Sequence, residues 1–70
     1  MNRDITVEQA QIDRVLTVLQ RQRKRCLLEE VTQLCHDLTD EQVVLAVDYL
    51  AQTGRVRLTL DVDRTYWVRA

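Results

Sequence analysis

Seventy residues, 46% hydrophobic and 30% charged, suffice for one domain whose single core lies near the lower limit of self-sufficiency. No apolar run approaches the roughly 18 residues of a membrane span, and no signal-peptide pattern opens the chain, so a soluble cytoplasmic protein with no membrane partner is expected. Ten basic and eleven acidic residues leave a net charge of −1, which excludes a uniformly basic nucleic-acid binder and makes the placement of charge the informative quantity.

The first helix is expected to open at Ile5-Thr6-Val7-Glu8-Gln9. Thr6 can cap it, Gln9 can complete the capping box and Ile5 can staple onto Ala10, leaving residues 1–5 frayed. Ile12, Val15, Leu16 and Leu19 recur at helical spacing as a core face, with Asp13, Arg14, Thr17 and Gln20 outward, to about Gln22. Arg21, Arg23, Lys24 and Arg25 follow as a basic cluster that also suits the negative end of the helix dipole. Cys26-Leu27 reads as an extended entry to a short second helix, marked by Leu28, Val31 and Leu34 or Cys35, with Glu29 and Glu30 in its first turn.

The third helix, about Asp40 to Thr53, has the strongest signal: Thr39 and Gln42 repeat the capping-box spacing and Gly54 supplies the stop. Val43, Ala46, Val47 and Leu50 make its core face. Beyond Gly54, Val56, Leu58 and Leu60 alternate with Arg55, Arg57 and Thr59, Asp61-Val62-Asp63-Arg64 makes a turn, and Thr65-Tyr66-Trp67-Val68 is rich in strand formers, together a β-hairpin. Turn length decides which aromatic faces the core. Pairing Asp61 with Arg64 puts Trp67 on the face of Leu58, whereas a three-residue loop puts Tyr66 there. The first is favoured, because a small domain needs the area that tryptophan buries.

Catalysis has little to work with: the chain contains no serine, one histidine (His36) and no glycine-rich loop. Cys26 and Cys35 are expected as reduced, semi-buried thiols. Cys35-His36 lacks a second ligand pair and its two side chains diverge by about 100° on a helix, so no metal is expected. A non-enzymatic binding domain with no cofactor and no small-molecule substrate follows.

The order of three helices and a hairpin, with Leu38-Thr39-Asp40-Glu41-Gln42-Val43 opening the third helix and Leu50-Ala51-Gln52-Thr53-Gly54-Arg55-Val56 closing it, resembles the winged helix-turn-helix superfamily. The resemblance covers about Ile12 to Arg69. It implies an α+β fold: Leu28–Cys35 and Asp40–Thr53 as the helix-turn-helix, with the second of these as recognition helix, and Arg55–Arg69 as the wing. It further implies that the segment before the second helix pairs with the wing. Many members place a glycine between the two helices; here the turn is Cys35-His36-Asp37-Leu38.

Two functions follow, in different classes. A DNA-binding regulatory module would hold the phosphates of duplex DNA with Arg21, Arg23, Lys24, Arg25, Arg55, Arg57 and Arg64, Arg69 adding to the wing's charge, and would read bases with Gln42 and Gln52. The outward face of the third helix, however, contains no lysine or arginine, only Asp40, Glu41, Gln42, Val44, Leu45, Asp48, Tyr49 and Gln52. The alternative is therefore a protein-interaction or dimerisation module that docks a partner or a second copy on Val44, Leu45 and Tyr49 and does not bind DNA.

Overall fold

Four apolar side chains, Ile12, Val15, Val18 and Leu19, are buried on one side of α1 (Gln9–Gln22) in the computed structural model, which describes residues 8–70. The core wraps further round this helix than the sequence implies: Val18 is buried, and Leu16 packs half-buried at the edge. Glu8 holds the cap position in place of Thr6. Its N–H donates to Gln11 Oε1 at 3.2 Å, while the Gln9 amide donates along the helix to Asp13 at 2.9 Å and so is not the capping group. Thr6 and Ile5 lie outside the described residues. The helix closes on Arg23, whose φ of 56° puts a side-chain-bearing residue in the left-handed region that glycine usually fills.

Strand β1 (Cys26–Leu27) leads directly into α2 (Leu28–Leu34), where Glu30 accepts the Leu27 N–H at 3.0 Å. Between the two candidates at the end of α2, Cys35 is the buried one and Leu34 stays 41% exposed. Helix α3 (Asp40–Gln52) is capped as expected: Gln42 N–H donates to Thr39 Oγ1 at 3.1 Å and Thr39 N–H to Gln42 Oε1 at 2.9 Å. Val43, Ala46, Val47 and Leu50 form its buried face. The helix stops one residue short of Thr53, and Gly54 at φ 79° turns the chain so that Arg55 N–H reaches the Leu50 carbonyl at 2.8 Å.

The hairpin pairs β2 (Arg57–Leu60) with β3 (Tyr66–Arg69), and β1 joins the far edge of β3 to complete an antiparallel sheet of order β1-β3-β2. Asp61 N–H donates to the Thr65 carbonyl and Arg64 N–H to that of Asp61, both at 2.9 Å, which defines a three-residue loop with Arg64 in the left-handed position (φ 67°).

This loop length reverses the expectation for the aromatics. Leu58 pairs with Val68 and Leu60 with Tyr66, so Tyr66 shares the Leu58 face, and Trp67, paired with Thr59 and Leu27, points to the other side. One extra loop residue flips every side chain of a strand. Val68, wholly buried, takes the core place assigned to Trp67.

The result is an α+β domain: three helices enclose Cys26, Val56 and Val68 from one side of the sheet, in a single apolar cluster with Val15, Leu19, Val31, Val43 and Leu50. The layout is consistent with the winged-helix expectation.

Candidate functional site

The sheet's outer face is built by strand alternation. Arg57 lies directly opposite Arg69 on β3, and Thr59, Trp67 and Leu27 form the next row across the three strands. Arg25, two residues before Leu27, falls on the same face, and its guanidinium sits over the Trp67 ring, 4.3 Å from the centroid. The outer face therefore carries a row of three arginines, Arg25, Arg69 and Arg57, beside a row of apolar and aromatic groups.

Further cations extend that row. Arg23, Lys24, Arg55 and Arg69 line one shallow cleft between the end of α1 and the end of the sheet, and Arg55, Arg57 and Arg69 line another beneath the α3–β2 turn. With exposed Arg21 in the last turn of α1, seven of the chain's ten basic residues gather at one end. The one salt bridge among the described residues lies elsewhere, between Arg14 and Asp37 at 3.2 Å. Glu30 shares a cleft with Lys24 and accepts the Leu27 N–H. Asp61 and Asp63 accept N–H bonds from Val62 and Thr65 within the loop.

Of the contact residues expected from sequence, the fold thus unites Arg21, Arg23, Lys24, Arg25, Arg55 and Arg57. Arg64 is separated from them at the hairpin loop, and it lines a different groove with Glu29 and Asp40. The two candidate base readers are engaged internally: Gln42 in the α3 cap and Gln52 through Nε2 to Asp48 at 2.9 Å. Trp67 was not among the sequence candidates, and Arg69 entered only through the wing's charge. Their signal was present in the hairpin register, which places Arg69 opposite Arg57, but the register depends on the loop length.

The opposite end has the reverse chemistry. A groove of about 530 Å³ runs between α2, α3 and the hairpin, with Leu28, Val44 and Tyr66 in its apolar lining and Glu29, Asp40 and Arg64 as its charged residues. Val44 is 43% and Tyr66 45% exposed. The three residues expected to form one docking patch divide. Val44 faces this groove, while Tyr49, 47% exposed, lies roughly 140° round the helix from it, beside half-buried Leu45. Glu41 and Asp48 occupy the arc between, away from the buried face.

Cys26 and Cys35 are free thiols, more deeply buried than expected, and burial pushes both above the usual thiol range, so they remain protonated at neutral pH. Among the described residues no group of three potential ligands could hold a metal ion, and no helix is long and apolar enough to cross a membrane. What fold and surface define together is a small α+β domain with a cationic sheet face at one end and a mainly apolar groove, lined also by Glu29, Asp40 and Arg64, at the other. Comparison with protein-family models, with curated proteins and with solved structures finds no match to this chain.

Proposed function

We propose that the chain is a winged helix-turn-helix module of the DNA-binding, transcription-regulating kind that grips nucleic acid by its phosphates at the basic end, and that α3 does not read bases. In this reading α2 and α3 are the helix-turn-helix, β2–β3 is the wing, and the phosphate contacts are Arg21, Arg23, Lys24, Arg25, Arg55, Arg57 and Arg69. The observation that carries it is the row of Arg25, Arg69 and Arg57 across the sheet with no acid in salt-bridge range among the described residues. Like charges directly opposite on paired strands are destabilising by themselves. An anionic ligand removes that cost and releases its counterions on binding. Arg23 supports the same reading, since it holds a cation in a left-handed position that glycine fills with less strain.

Anisotropy of a labelled random-sequence duplex tests the proposal. Binding should weaken steeply between low and physiological salt, and Arg57→Ala with Arg69→Ala should each lower affinity at least about tenfold. Equal affinity in wild type and both variants would remove the assignment.

The groove favours a second reading, in which the acidic, apolar side of α3 docks a protein or a second copy of the chain. Val44 and Tyr66, exposed around one concavity lined also by Glu29, Asp40 and Arg64, support it. Light scattering across concentrations is its test: a mass that stays monomeric speaks against a second copy.

A further inference from the structure

Trp67 is an unusual occupant for the outer face of a sheet. It is the chain's one tryptophan and it projects away from the helical core. The row beside it on the sheet pairs Arg57 of β2 with Arg69 of β3, and Arg25, just before β1, lies over the Trp67 ring. Its Nε1–H is buried yet donates to no acceptor among the described residues, an arrangement that is unfavourable for a neutral donor. Core packing does not account for this placement, because Val68 supplies that role from the neighbouring position.

An aromatic ring on a sheet face, flanked by cations spaced about 4.8 Å from strand to strand, matches the way single strands are held: bases stack on the ring while arginines follow the backbone. A duplex keeps its bases stacked on one another and offers such a ring nothing to stack on. We infer that the outer sheet face binds single-stranded nucleic acid, with one base stacked on Trp67 in the place now taken by the Arg25 guanidinium. Arg25 then swings to the phosphates beside Arg57 and Arg69. The planar guanidinium already occupies the position of a flat, electron-poor stacking partner, and exchanging it for a base keeps the ring covered. The unpaired indole N–H gains access to acceptors that a nucleotide carries and the surrounding side chains do not supply. This inference rests on the phosphate-binding reading above and names its substrate class.

Because Trp67 is the sole tryptophan, the unmodified protein reports on its own site. The experiment titrates the full chain with a twelve-residue oligothymidylate and with a duplex of equal length at low salt, following tryptophan emission and the anisotropy of an end label together. The expected result is quenching by the single strand that saturates at the same concentration as the anisotropy, with duplex binding that leaves the emission unchanged. Trp67→Leu, which keeps an apolar side chain beside Leu27, should weaken single-strand binding about tenfold and leave duplex affinity unaltered. Binding of both oligonucleotides with constant emission would overturn the stacking inference and leave the phosphate reading standing. Binding of neither at low salt would overturn both.

Discussion

The two ends of this domain are built on the same core and have opposite surfaces. At the basic end, strand pairing assembles cations from three separate stretches of sequence: Arg21 to Arg25 between α1 and β1, Arg55 and Arg57 at the α3–β2 turn, and Arg69 at the end of β3. At the other end, helix starts collect acids, because Glu29, Asp40 and Glu41 all lie in first turns where the helix dipole favours them. The acids thus have a local physical reason to be where they are. Arg57 and Arg69 have none, since facing one another they repel. That asymmetry is why function is placed at the basic end and not on α3, where the fold resemblance alone would put it.

The comparison breaks most completely if the shared core goes. Leu50→Ala, at a position with no exposed surface that supports α3 and the α3–β2 turn together, should cost about 2–5 kcal/mol, a large fraction of the stability of a domain this small. Urea titration followed by circular dichroism measures it, and both surfaces should be lost together. Reversing charge is the next largest effect. Arg57→Glu with Arg69→Glu should abolish detectable nucleic-acid binding, whereas Asp40→Ala with Asp48→Ala should leave it intact or strengthen it modestly; anisotropy at one salt concentration separates the two.

Arg23→Gly sharpens the comparison, because it should move stability and binding in opposite directions. Relief of the left-handed conformation should raise stability by about 1 kcal/mol, while loss of one phosphate contact should lower the magnitude of the salt slope by about one. Thermal melts and a salt titration read the two separately.

The smallest effect belongs to the ion pair between Arg14 and Asp37, which is part of neither surface. The guanidinium, hydrogen-bonded to the carboxylate, holds Asp37 below the usual carboxylate range. Its contribution is therefore present at neutral pH and is lost as pH falls through that lowered value. Both side chains are close to half exposed, at 44% and 50%, so Asp37→Asn should barely change the melting temperature at neutral pH and only slightly flatten its acid decline below about pH 4.

The fold was legible where local rules act alone. The Thr39–Gln42 box, the buried face of α3 and the Gly54 stop follow from spacing within a few residues, and the structure has them in place. The Trp67 assignment failed because the hairpin register turns on a single loop residue, and Arg64 fills a left-handed position without the glycine that would have announced it. The candidate site was half legible. A cluster such as Arg23-Lys24-Arg25 is visible in the chain, but its meeting with Arg55, Arg57 and Arg69 was implied only by the winged-helix resemblance and not by local spacing, because β1 pairs with β3 between segments some forty residues apart. The expected docking patch divided for a simpler reason: Val44 and Tyr49 are five apart, and five residues turn a helix well past one face.

Amide chemical-shift mapping of the labelled domain with a short oligonucleotide tests most directly where nucleic acid sits. The account predicts shifts concentrated at Arg23–Leu27, Arg55–Thr59 and Trp67–Arg69, with α3 from Asp40 to Asp48 unmoved. Shifts centred on Glu41, Leu45 and Asp48 would contradict it and return base reading to α3.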